Sequence, residues 1–223
     1  MKHIIKGNTP QSLLDYKRTP NATYNGFGSK EDVRIALIKE QKGLCAYCNG
    51  RISNVRNKEL GKPKTGIEHY KSQEKHPHLQ LEYGNMLGVC NGVSKDYNEA
   101  VQHCDTSRGS RELTIDPLSI SCEKSIIYGS DGKIKSTNPD IQSDFDDILK
   151  LNISLLKRER KGILDLVIKR LTRNTNDKNW TKTAIQKEIN FWKQDEKIED
   201  DVFYLKPYCQ VAIHYLNNKL RRL

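Results

Sequence analysis

Apolar side chains in the last third of the chain recur at helical spacing. Leu149, Ile153, Leu156, Ile163, Val167 and Leu171 fall on one face, interrupted only by Arg160. That stripe predicts a long amphipathic helix after residue 142. A second helix is predicted over about residues 180–194. A third follows Pro207, a residue suited to a first helical position, and carries the stripe Cys209, Ile213, Leu216, Leu220, Leu223. Nearer the start, Ser29-Lys30-Glu31-Asp32 has the composition of a helix N-terminus. Val33, Ala36 and Leu37 follow at helical spacing, and Gly43 marks the stop. Gly66-Ile67-Glu68-His69-Tyr70 predicts a short strand, and Asn85-Met86-Leu87 the start of a short helix leading to Cys90. Residues 125–128 and 133–136 flank Gly129-Ser130-Asp131-Gly132, a hairpin signal. Residues 1–28 predict an irregular arm, broken by Thr9-Pro10, Thr19-Pro20 and Asn25-Gly26, and residues 53–66 a polar loop. The expected organisation is an arm over 1–28, a core over 29–120, a hairpin connector over 121–142 and a helical region over 143–223.

Composition narrows the class. No apolar run approaches the roughly 18 to 20 residues of a membrane helix. Hydrophobic residues make up 35% of the chain and the mean hydropathy is −0.76, so no membrane association is expected. The opening Met1-Lys2-His3-Ile4-Ile5-Lys6-Gly7-Asn8 has no apolar stretch long enough for a signal peptide. The expected location is cytoplasmic. The net charge is +10, which suggests a polyanionic partner, and it is unevenly placed. Residues 1–42 carry +4 and residues 150–223 carry +8, while residues 43–116 carry only +1.

A reducing compartment disfavours disulfides among the six cysteines. Cys45-Ala46-Tyr47-Cys48 is a C-x2-C pair followed by Asn49-Gly50, a knuckle that turns two thiolates toward one tetrahedral metal, with Gly50 permitting the turn. Cys90 and Cys104 are the nearest further ligands for a structural zinc; the alternative is that both are small buried hydrophobes. Cys122 and Cys209 are expected to be core thiols.

In order, the central segment reads Cys45-x2-Cys48, Glu68-His69, Asn85, Cys90, then Cys104-Asp105-Thr106-Ser107-Arg108. This resembles the HNH endonuclease family, in the branch with four zinc cysteines around a ββα-metal core. Lys6-Gly7-Asn8-Thr9-Pro10, Glu40 through Cys48, Ile67 through Tyr70, Tyr83 through Leu87, His103-Cys104-Asp105, Ile115-Asp116-Pro117 and Leu151-Asn152 extend the likeness. They are similar to the HNH subunit of Septu and retron-associated anti-phage systems. The resemblance implies an α+β fold with a zinc-bearing ββα core, then a hairpin and C-terminal helices. It also implies a nuclease acting on DNA beside an ATPase subunit, in a retron setting together with a retron RNA/DNA complex.

The resemblance assigns roles by position. His69 would be the general base and Glu68 a ligand of a catalytic Mg²⁺ or Mn²⁺. Asn85 would tie the loop after the strand and orient His69. Asp105 stands in the last ligand slot, with His103 as the alternative, because the Cys90–Cys104 stretch is longer than in ordinary members. Successive strand residues point to opposite faces, so Glu68 and His69 share one site only if the strand is distorted. Arg108 and Lys95 are candidate phosphate contacts or solvated side chains. His76, His78 and His214 are expected to be solvated or satisfied locally, and the Lys157–Lys161 cluster either a solvated face or a contact for nucleic acid or a partner. Two other functions fit the same residues: a non-catalytic zinc module that binds nucleic acid or a partner, and a nuclease directed at an RNA such as a tRNA. The chain has no G-x-x-x-x-G-K-[ST] loop, so any ATP dependence would come from a partner.

Overall fold

A computed structural model describes residues 1–55, 63–96, 99–175, 180–199 and 202–223. Residues 56–62 of the expected polar loop lie outside this set. The chain is mixed α+β, with four two-stranded antiparallel sheets among the described residues.

The arm is not wholly irregular. It contains a helix, α1 (Gln11–Lys17), just after Pro10. Seven residues are too few to show a period, and such a helix is stable only through burial. Leu13 supplies that burial, packing with Phe27, Val33, Leu37, Leu81, Tyr83 and Met86. Helix α2 (Lys30–Glu40) lies where it was predicted, although Ser29 occupies the N-cap position without a side-chain cap bond. It ends toward Gly43, which has φ 68°; a Cβ there would stand 1.9 Å from the Tyr204 ring.

Strand β1 (Thr65–His69) pairs antiparallel with β2 (Met86–Cys90), setting Glu68 opposite Leu87 and His69 opposite Met86. Where a helix from Asn85 was predicted, Asn85 ends a 3-10 turn over Tyr83–Asn85 and the strand begins at Met86. A short apolar run does not distinguish the two by periodicity; pairing with β1 and burial of Met86 through Val89 decided it. Strands β3 (Val93–Asp96) and β4 (Glu99–Gln102) form a hairpin inside the long Cys90–Cys104 interval. Helix α3 (Cys104–Arg108) follows directly. The order along this stretch is thus strand, strand, inserted hairpin, helix.

The predicted hairpin is present as β5 (Ile127–Tyr128) and β6 (Ile134–Lys135). Beyond it, α4 (Pro139–Ser143) runs into a π-helical turn over Asp144–Ile148. The Asp144 carboxylate leaves that turn to accept the Thr114 and Ile115 amides. The long helix α5 spans Ser154–Thr175, so Leu149 and Ile153 precede it rather than belong to it. Helices α6 (Lys182–Lys193) and α7 (Cys209–Leu220) flank a hairpin of β7 (Glu196–Glu199) and β8 (Val202–Tyr204) that the pattern did not reveal. Pro207 lies outside α7, whose N-cap is Tyr208 in the left-handed region at φ 56°. Val167, Leu171, Ile185, Ile189, Trp192, Cys209, Ala212 and Leu216 form the core of these helices. No helix among the described residues is long and apolar enough to cross a membrane.

Arg160, the interruption in the α5 stripe, is 1% exposed. Its Nε donates to the Gly132 carbonyl and its Nη2 to the Leu151 carbonyl, both at 2.6 Å. It therefore fastens the β5–β6 turn and the segment before α5 to the helix. Arg160→Ala would leave two buried carbonyls unpaired. The expected loss of unfolding free energy is about 2–4 kcal/mol, read by urea denaturation.

Candidate metal centre and active site

The four predicted cysteines come together. Cys45 and Cys48 sit on the turn after α2, Cys90 ends β2, and Cys104 opens α3. The turn is made by Asn49 at φ 61°, not by Gly50. Gly50 instead donates its amide to Cys48 Sγ at 3.3 Å. All four sulfurs lie within 4.8 Å of one another. Cys45 and Cys104 are 4.0 Å apart, and Cys48 and Cys90 3.9 Å. A tetrahedral zinc with bonds of about 2.3 Å spaces its sulfurs about 3.8 Å apart, so the cluster can hold such an ion. Burial alone would raise the Cys45 thiol, but hydrogen bonds from Cys104, Cys48 and Cys90 outweigh it and hold Cys45 well below the usual thiol range. Cys122 and Cys209 lie apart in the core, each pushed up to about 11 by burial.

A second group of side chains forms beside this cluster. Asp105, in the first turn of α3, lies beside the Glu68 carboxyl of β1. His103 faces the other way, its Nδ1 3.2 Å from Cys104 Sγ. The two candidates for one slot are thereby separated. Cys104 between them has φ 55°, and this left-handed residue turns its neighbours to different sides.

Arg108 does not face a substrate. It is 1% exposed and pairs with Glu68 Oε1, while its Nη2 donates to the Tyr70 carbonyl and its Nε to the Arg111 carbonyl at 2.7 Å. A buried guanidinium so engaged cannot meet a phosphate; it joins α3 to the end of β1. The Lys95 side chain lies outside the described residues. Tyr47, inside the cysteine knuckle, also donates to Glu68 Oε1, at 2.9 Å. Both donors use the same oxygen, Oε1.

Burial, the hydrogen bond with Asp105 and the Asp105 charge push Glu68 up to about 8, against the smaller opposing effects of Arg108 and Tyr47. Without metal these effects favour the protonated form of the Glu68 carboxyl. The metal-free fold is favoured by this group below 4.5 and loses that contribution as pH rises toward 8. A cation that displaces the proton should bind more tightly as pH rises over that interval. Calorimetric Mn²⁺ titrations in buffers of different ionisation enthalpy are expected to show net proton release at pH 7.

His69, at the end of β1, is buried and points away from Glu68. Its Nε2 lies 2.9 Å from the Gln80 carbonyl and its Nδ1 3.1 Å from Gln73 Nε2. The Tyr24 ring meets the imidazole edge-on at 4.5 Å. Burial lowers the His69 pKa, while the Gln80 carbonyl and the Asp105 charge oppose the shift. Asp105 is thus close enough to act on both Glu68 and His69. Asn85 acts on the loop: its side chain accepts the Lys71 amide at 2.7 Å and donates to the Lys71 carbonyl at 2.9 Å. A longer 3.4 Å bond reaches the Leu79 carbonyl, next to Gln80. The direct partners of the imidazole are Gln80 and Gln73, which sequence reasoning missed. A backbone carbonyl leaves no mark in sequence. Arg108, three residues after Asp105 on one helix face, carried a spacing that could have pointed to Glu68.

No protein-family model matches this chain, and no curated protein matches it.

Proposed function

We propose that the chain is a metal-dependent endonuclease of the HNH type. The observation that carries this reading is Asp105 of α3 set beside the Glu68 carboxyl of β1, next to the four-cysteine cluster, with His69 the next residue of the strand. In it the cysteines hold a structural zinc, and the two strands with α3 form the ββα-metal core. Glu68 and Asp105 would hold Mg²⁺ or Mn²⁺, hard cations that prefer oxygen ligands. That ion supplies positive charge to the scissile phosphate when bound. The Gln80 carbonyl accepts a hydrogen bond from His69 Nε2–H, which places the imidazole lone pair on Nδ1. There His69 takes a proton from water as the water oxygen attacks phosphorus and the sugar oxygen leaves. Asn85 holds the loop that carries the Gln80 carbonyl.

The favoured substrate is DNA. The central segment is nearly neutral, so the basic arm and C-terminal helices supply affinity for the backbone. The likeness to anti-phage nuclease subunits extends the proposal to an effector working in the cytoplasm with an ATPase subunit, and in a retron setting with its RNA/DNA complex. The Glu68–Arg108 pair favours one competing reading, a non-catalytic zinc module in which Glu68 is purely structural. Incubation of the purified chain with supercoiled DNA and with tRNA, in Mg²⁺ or Mn²⁺ and with an EDTA control, separates them. A nuclease cleaves one of these substrates only with metal, and the zinc module cleaves neither.

A further inference from the structure

Both ring nitrogens of His69 are occupied by protein groups. The Gln80 carbonyl can only accept, so the hydrogen on Nε2 is required there, and the neutral ring then has a single in-plane lone pair, on Nδ1. Gln73 Nε2 stands 3.1 Å from that lone pair and must be its donor. A general base needs its water within about 2.6–3.2 Å of the accepting atom, so the Gln73 amide sits where that water would sit. One lone pair cannot accept from both.

We propose that Gln73 is a positioning residue that plugs the base in the resting enzyme, and that cleavage requires its side chain to swing away from His69 Nδ1. This rests on the nuclease reading above. The plug lies on a turn suited to release by a polyanion. Gln73 is flanked by Lys71 and Lys75 and is half-buried, not locked in the core. The turn closes through the Ser72 carbonyl accepting the His76 amide at 2.8 Å. On its outer side Lys71 pairs with Glu112 at 3.0 Å, and His76 lies 3.5 Å from the same carboxylate. A nucleic-acid phosphate arriving at this turn competes with Glu112 for Lys71. That pulls on the two residues before Gln73 and frees its amide, so the chain's own substrate backbone is the releasing ligand.

The test compares the full-length chain with Gln73→Met, which keeps the volume but removes the donor, and Gln73→Ala. At saturating Mn²⁺, both variants are expected to cleave DNA with kcat raised by about three- to tenfold, the exchange value of one hydrogen bond, and KM little changed. Imidazole ¹⁵N spectra should keep the Nε2–H tautomer of His69 in all three proteins and move only the Nδ1 resonance in the variants. A merely structural role would not move that resonance selectively. Cleavage that falls or stays level in both variants, while the wild-type chain cuts, overturns the plug and leaves the nuclease reading intact. An Nδ1 resonance unchanged in both variants also overturns it. If no protein of the three cleaves with metal, the nuclease reading fails and the plug fails with it.

Discussion

Cys45→Ser is expected to unfold the chain around β1, β2 and α3. Cys45 is fully buried, its sulfur lies 4.0 Å from that of Cys104, and it belongs to the largest apolar cluster, with Tyr47, Leu87, Val89, Ile115 and Phe145. The four cysteines come from three segments: the knuckle after α2, the end of β2 and the start of α3. Binding of a structural zinc is worth about 10–16 kcal/mol in apparent terms, against a typical domain stability of about 5–15 kcal/mol. Losing one thiolate removes a large part of the first quantity, which the second cannot absorb. Metal analysis should find one zinc per wild-type chain and less than that in the variant. Circular dichroism should show the cooperative thermal transition broadened or lost. A variant that melts as wild type with no bound zinc would mean the cysteines are ordinary core residues.

His69→Ala should abolish metal-dependent cleavage while leaving the chain folded. Removing a positioned general base costs about 10²–10⁴ in rate. The fold pays far less, because the variant leaves the Gln80 carbonyl unpaired in a half-buried loop, which costs about 1–3 kcal/mol. A thermal melt and a supercoiled-DNA assay on the same preparation separate the two effects. Burial holds His69 below its usual range, so the proposed base is already neutral at pH 7. At saturating metal the wild-type rate should be level above about pH 6.5 and fall only below it. Residual cleavage by His69→Ala at the wild-type rate would remove the histidine from the chemistry.

Much of this was legible along the chain because it is local. The C-x2-C knuckle, the β5–β6 turn, α2 and α6 each depend on residues within a few positions of one another. Their spacing carries the signal. Cys90 and Cys104 lie far from the knuckle in sequence, and only the fold brings their sulfurs to it. The errors have a common cause. Met86 and Leu87 became strand because β1 supplies hydrogen-bond partners from some twenty residues away, which no window of sequence contains. Helix α1 exists through the burial of Leu13 against Phe27 and Leu81. Arg160 and Arg108 look like solvated cations in sequence, yet each is buried because carbonyl or carboxylate oxygens from distant segments converge on it.

The sequence by itself determined which residue types could bind a metal or move a proton here, and the order in which the chain presents them. Tertiary structure alone decided which of them meet. Asp105 rather than His103 joins Glu68 because Cys104, tied by its amide to the Leu149 carbonyl at 2.8 Å, adopts a left-handed backbone that splits its two neighbours. The state of the imidazole was likewise decided in three dimensions, by a carbonyl eleven residues away and an amide four residues away. Spacing sets what can fall on one face of one element. Hydrogen-bond closure between elements sets which faces come together, and that depends on the whole packed chain.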